Sequence, residues 1–132
     1  MRLKKLTQAI ASARGHLEDS MKVVSKGSDE DVNGVVWRAA ADLEYALFLF
    51  SVIHQDESGN SSWKLGLRSK DVEVDSVLAS TRDLLEEAES KIEAGEIHEA
   101  HQKTWMARGY LLKLQEFFEK KRKLKRAAKK SS

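Results

Sequence analysis

The histidines are the residues of this chain best suited to chemistry, and of the four, His98 and His101 have the most suggestive spacing. One turn apart on a helix, with Glu99 between them, they would offer two imidazole nitrogens to one side, the start of a metal site or an acid–base pair. A metal would still need third and fourth ligands, and none is spaced to join them. The Glu-x-x-His pattern of carboxylate-bridged di-metal bundles fails at every histidine: three residues before His16, His54, His98 and His101 stand Ala13, Ser51, Gly95 and His98. The chain has no cysteine, which removes thiol catalysis, thiolate zinc sites and disulfides and fits a reducing, cytoplasmic setting. No phosphate-cradling glycine loop or nucleophile elbow is present. The sequence therefore reads as non-enzymatic, without catalytic residues, metal or cofactor, with His98 and His101 at a solvated helix start.

Charge is the second kind of chemistry on offer. The formal net charge of +2 conceals an asymmetry: Lys120, Lys121, Arg122, Lys123, Lys125, Arg126, Lys129 and Lys130 carry +8 with no acidic residue among them. The 119 residues before Lys120 hold 15 basic and 21 acidic side chains, a net −6. Eight cations within 11 residues attract phosphate backbones, with affinity that falls as salt rises. The tail is accordingly expected to contact RNA or DNA. Acidic proteins, membrane surfaces and plain solvation are its other uses, and Leu124 as the one large apolar residue there makes membrane binding the poorest fit. No aromatic follows Phe118, so there is no stacking platform for single-stranded bases.

Aromatic residues are the third. Trp37 and Trp105 each stand one position beyond a residue of a helical apolar stripe, where an indole is expected to flank the seam and cover the groove between helices; paired aromatic sites for a ligand or a stacked base are the alternative. In the run from Glu44 to Phe50, Phe48 and Leu49 cannot both lie on the stripe of Phe50. They are candidates for a homodimer or partner interface, together with Trp63 in a polar segment further on.

The elements that must position these residues follow from a repeat. Residues 11–50 match residues 79–118 without a gap at an offset of 68, with ten identities, among them Arg14/Arg82, Leu17/Leu85, Gly27/Gly95, Trp37/Trp105, Leu43/Leu111 and Phe50/Phe118. Steps of three and four residues mark four helical stripes. The first runs from Leu3 through Leu6, Ile10, Ala13, Leu17 and Ser20 to Val24, and the second from Val32 through Val36, Ala39, Leu43 and Ala46 to Phe50 and Ile53. The third holds Leu78, Thr81, Leu85, Ala88 and Ile92; the fourth runs from Ile97 through Ala100, Thr104, Ala107, Leu111 and Leu114 to Phe118. Gly27 and Gly95 close the first helix of each pair, Ser28 and Asp31 cap the second helix, and Asp71, Glu73 and Asp75 open the third.

These patterns predict an all-α, four-helix bundle over residues 1–118, built of two duplicated helical hairpins with a basic helical extension over 119–132. The first hairpin spans 1–53, a connection 54–70, and the second hairpin 71–118. The connection exceeds an ordinary bundle turn, and Trp63, Leu65 and Leu67 are placed to pin it across the bundle. Neither a signal peptide nor an apolar stretch of the roughly 20 residues that span a membrane is visible.

The second hairpin, with Ala94-Gly95-Glu96-Ile97-His98-Glu99-Ala100 at its turn and Lys103-Thr104-Trp105-Met106-Ala107 beyond it, is similar to small prokaryotic, especially archaeal, HEPN-like helical proteins. The resemblance covers a single hairpin. It implies a helical bundle and, for some members, ribonuclease action or partnership with nucleotidyltransferases. The ribonucleases of that group carry an arginine four to six residues before a histidine; here Arg14 stands two before His16, and no catalytic residue carries over. The leading expectation is a binding protein whose tail contacts nucleic acid or a ribonucleoprotein. A protein–protein adaptor or self-associating module is the alternative.

Overall fold

The computed structural model describes residues 2–24, 29–54 and 73–131. They form α1 (Arg2–Val24), α2 (Asp29–His54), α3 (Val74–Glu93) and α4 (Ile97–Ser131), and among the described residues there is no strand. No helix is long and apolar enough to cross a membrane among these residues.

Each stripe becomes the inner face of its helix. Leu6, Ile10, Ala13, Leu17 and Ser20 of α1 are buried, as are Val32, Val36, Ala39, Leu43, Ala46 and Phe50 of α2. Leu78, Thr81, Leu85, Ala88 and Ile92 on α3 and Ala100, Thr104, Ala107, Leu111, Leu114 and Phe118 on α4 complete the core. Leu3 departs from its stripe: at the first turn of α1 it is exposed, because at the helix end a stripe position has nothing laid over it. The buried arc is also wider than a strict stripe, taking in Ala9, Ala40, Leu49 and Val77. The three buried hydroxyls are satisfied within their own helices: Ser20 donates to the Leu17 carbonyl at 2.8 Å, Thr81 to Val77 at 2.6 Å and Thr104 to Ala100 at 2.9 Å.

Around the bundle the order is α1, α2, α4, α3, with α2 and α3 on one diagonal. Short turns make α1–α2 and α3–α4 antiparallel. Across the α2–α4 face Phe50 meets His101 and Glu44 meets Arg108, so these helices also run antiparallel, and α2 and α3 must then run the same way. The end of α2 and the start of α3 therefore lie at opposite ends of the bundle, about 30 Å apart by the length of α3. A long connection is a geometric requirement of this order of helices. Ion pairs tie the faces: Arg14 grips Glu89 of α3 through Nε at 2.9 Å and Nη2 at 3.4 Å, and Lys103 of α4 meets Glu87 of α3 at 3.0 Å.

The α3–α4 turn closes as the glycine requires. Gly95 has φ +80°, its N–H donates to the Ile92 carbonyl at 3.0 Å, and the Glu96 N–H reaches back to Lys91 at 2.8 Å, so two otherwise orphaned carbonyls are satisfied. An added Cβ would meet no atom within 4 Å, so a substitution there costs backbone strain alone. Gly95→Ala should lower unfolding free energy by about 1–2 kcal/mol, read as a shifted urea midpoint at unchanged slope; an unshifted midpoint would contradict the left-handed closure. Glu73 precedes α3 without a side-chain cap, and Asp75 is the acid in its first turn. Gly27, Ser28 and Asp71 lie outside the described residues.

Candidate functional site

The structure separates the two histidines that the sequence paired. His98 is exposed at the start of α4, whereas His101 is buried, 6% exposed, and stacked on Phe50 of α2 with ring centroids 4.8 Å apart and planes within 9°. A solvated helix start thus fails for His101. One position beyond the stripe residue Ala100, it falls on the flank of α4 that faces α2. Among the described residues no group of three or more His, Cys, Asp or Glu is arranged to hold a metal.

A grouping the sequence reading missed lies between α1 and α2. Asp42 Oδ2 accepts a hydrogen bond from Ser12 Oγ at 2.7 Å and sits 3.4 Å from His16 Nε2. These are the residue types of a hydrolase triad in an inactive order. The serine's proton is directed to the carboxylate, so the imidazole is not placed to take it, and no activated nucleophile results. The spacing of Ser12 and His16, one turn apart on α1, gave the only sequence signal, and Asp42 joins them through the hairpin.

At the α3–α4 turn, Lys91 Nζ lies 2.9 Å from both Glu96 Oε2 and Glu99 Oε2. Its hydrogen bond, reinforced by its charge, holds the Glu99 carboxyl below the ordinary carboxylate range, and the hydrogen bonds it donates, to Glu99 first and Glu96 second, raise Lys91 above its ordinary value. The contribution to stability is present between those two ranges and is lost on acidification as Glu99 protonates, or at high pH as Lys91 deprotonates. The cluster neutralises itself: lysine near the carboxyl end of α3 and glutamates at the amino end of α4 suit both helix dipoles.

Charge that packing does not use is concentrated at the far end of α4. The helix runs on from Phe118, which is 5% exposed, to Ser131 with its i→i−4 ladder intact, while Glu119 to Leu124 and Arg126 are exposed. Lys120, Lys121, Arg122, Lys123 and Arg126 therefore surround a solvated helix. Lys125, Lys129 and Lys130 lie on the same helix, and their side chains fall outside those described. Glu119, the last acidic residue of the chain, sits 3.8 Å from Arg122.

The aromatic candidates sort unevenly. Leu49 is buried at 6% exposure and belongs to the core, which removes it from any interface; Phe48, one position earlier, is 60% exposed. Trp63 lies outside the described residues. Trp105 is half-buried, but Trp37 does not cover its seam as expected: it is 59% exposed. It stands in an open groove of about 410 Å³ between α2 and α4, whose other walls are Leu112, Gln115, Glu116, Glu119, Lys120 and Lys123. The fold thereby sets an aromatic face beside the cationic helix, a juxtaposition that residues 83 positions apart in sequence could not announce.

Comparison of the chain with protein-family models, with curated proteins and with solved structures finds no match.

Proposed function

We propose that this protein is a non-enzymatic nucleic-acid-binding or ribonucleoprotein-binding module. In this reading two copies of one helical hairpin form the scaffold, and the cationic continuation of α4, Lys120 to Lys130, makes the contact. The observation that carries it is that α4 continues for three turns beyond Phe118, the last buried residue among those described, with five of its seven described exposed side chains basic. A helix rich in cations has no packing reason to extend there, and its field suits phosphates. The duplication is supported by burial as well as identity: Ala13/Thr81, Leu17/Leu85, Ser20/Ala88, Val36/Thr104, Ala39/Ala107, Leu43/Leu111, Ala46/Leu114 and Phe50/Phe118 are buried in both halves. The test is titration of the full chain and of residues 1–118 with RNA and DNA oligonucleotides over a salt series. Salt-sensitive binding by the full chain alone is expected, and equal, negligible binding by both overturns the reading.

One observation favours a second reading, self-association. Ala41, Tyr45 and Phe48 share the outer face of α2 with Trp37, and Tyr45 and Phe48 are 47% and 60% exposed. Sedimentation equilibrium would then show a dimer that Phe48→Glu dissociates. A monomer independent of concentration rules this out.

A further inference from the structure

The internal repeat supplies a control for the Trp37 groove. Shifted by 68 residues, the groove-lining positions Leu112, Gln115, Glu116, Glu119, Lys120 and Lys123 correspond to Glu44, Leu47, Phe48, Ser51, Val52 and Gln55, and Trp37 itself corresponds to Trp105. In the second half the tryptophan is half-buried, and none of the six corresponding positions is a cation. In the first half the same indole is 59% exposed, and the helix opposite it carries an amide, two acids and two cations.

The remaining features of the groove share one chemistry. Leu112, 40% exposed, lines it with Trp37 and gives it an apolar floor. Gln115 lines the same wall, with its side-chain Nε2 turned out of contact with solvent. Lys120 and Lys123 stand at one end, where α4 leads into the basic run. The two acids of the lining do not cancel them: Glu116 has Lys113 and Glu119 has Arg122 within 3.8 Å. A ligand that suits these features has a flat π-face with anionic groups beside it.

We propose that the Trp37 groove is the base-stacking subsite of a single-stranded nucleic-acid interface. One unpaired base lies on the Trp37 indole against Leu112, and Lys120 and Lys123 hold the adjoining phosphates. The strand then follows the cationic face of α4. This rests on the nucleic-acid reading above and narrows it from nucleic acid in general to unpaired strands. A duplex keeps its base faces stacked inside and can offer this groove only phosphate, whereas an unpaired strand offers a free π-face at every nucleotide. The groove's volume, about 410 Å³, lies in the range of small-ligand clefts.

The experiment uses the full chain with a fluorescein-labelled oligothymidylate of twelve nucleotides and a twelve-base-pair duplex. Affinity is read by anisotropy and indole contact by tryptophan emission. Trp37 is exposed, so Trp37→Ala and Trp37→Phe should keep the wild-type thermal midpoint. Trp37→Ala should weaken single-strand binding by about tenfold, the worth of one stacked base, while changing duplex affinity less than twofold. The emission quench seen with the wild type should be largely lost in Trp37→Phe. Single-strand binding that is unchanged in Trp37→Ala, or an equal loss on duplex and single strand, overturns the stacking subsite and leaves the cationic helix as the binding element. No binding of either oligonucleotide at low salt overturns the nucleic-acid reading itself.

Discussion

Phe50→Ala should cost about 3–5 kcal/mol of unfolding free energy, the largest effect expected of any single substitution in the aromatic run of α2. Phe50 has no solvent exposure, and its ring lies flat on His101 across the α2–α4 face. Truncation removes the transfer energy of the ring, leaves a void in a close-packed layer, and strips one face of the buried imidazole of its partner. The comparison that makes the prediction specific is Phe48→Ala. Two residues away on the same helix, Phe48 is 60% exposed, and its loss should shift stability by no more than about 0.5 kcal/mol. Urea denaturation of both variants reads the difference. Equal effects would mean that α2 is not rotated as described.

The second large effect concerns the eight cations of α4. Replacing Lys120, Lys121, Arg122, Lys123, Lys125, Arg126, Lys129 and Lys130 together by glutamine keeps a good helix former at each position while removing +8. If all eight contact phosphates of a single strand, wild-type affinity should fall roughly a thousandfold between 50 and 200 mM salt, because each contact releases a bound counterion. The neutral variant should bind weakly and show almost no salt dependence. The core ends at Phe118, so circular dichroism should report the same melting midpoint for both. A salt slope as steep in the variant as in the wild type would mean that the contact lies elsewhere on the molecule.

The stripes were legible because helical periodicity records burial position by position. From Leu6 to Phe118 the stripe residues lie on the inner faces, save that Ile53 and Ile97, both at helix ends, are only half-buried and Val24 has no described side chain. Gly95 was legible for a different reason, since a glycine after the last stripe residue meets a backbone need that the structure shows at φ +80°. What the pattern could not give was partnership across helices. His101 and Phe50 are 51 residues apart, and only the assembled α2–α4 face makes the imidazole a core residue. Repeat symmetry itself misled at Trp37: equivalence with Trp105 implied an equivalent environment, but Trp37 is exposed and Trp105 half-buried. Phe48 and Leu49 were ambiguous because both adjoin the stripe, and the burial of Leu49 depends on the extra width of the arc that also includes Ala40.

The diagonal placement of α2 and α3 bears on how many chains make one bundle. Nineteen residues separate His54 from Val74, with a reach of roughly 60 Å when extended, against the 30 Å or so between the helix ends. About ten residues would be the least that could close the bundle within one chain. Below that limit each hairpin would find its counterpart only on another molecule, and two chains exchanging hairpins would rebuild the same core twice. A connection of this length lets one chain close its own bundle, and shortening it below that limit is expected to make two chains exchange hairpins.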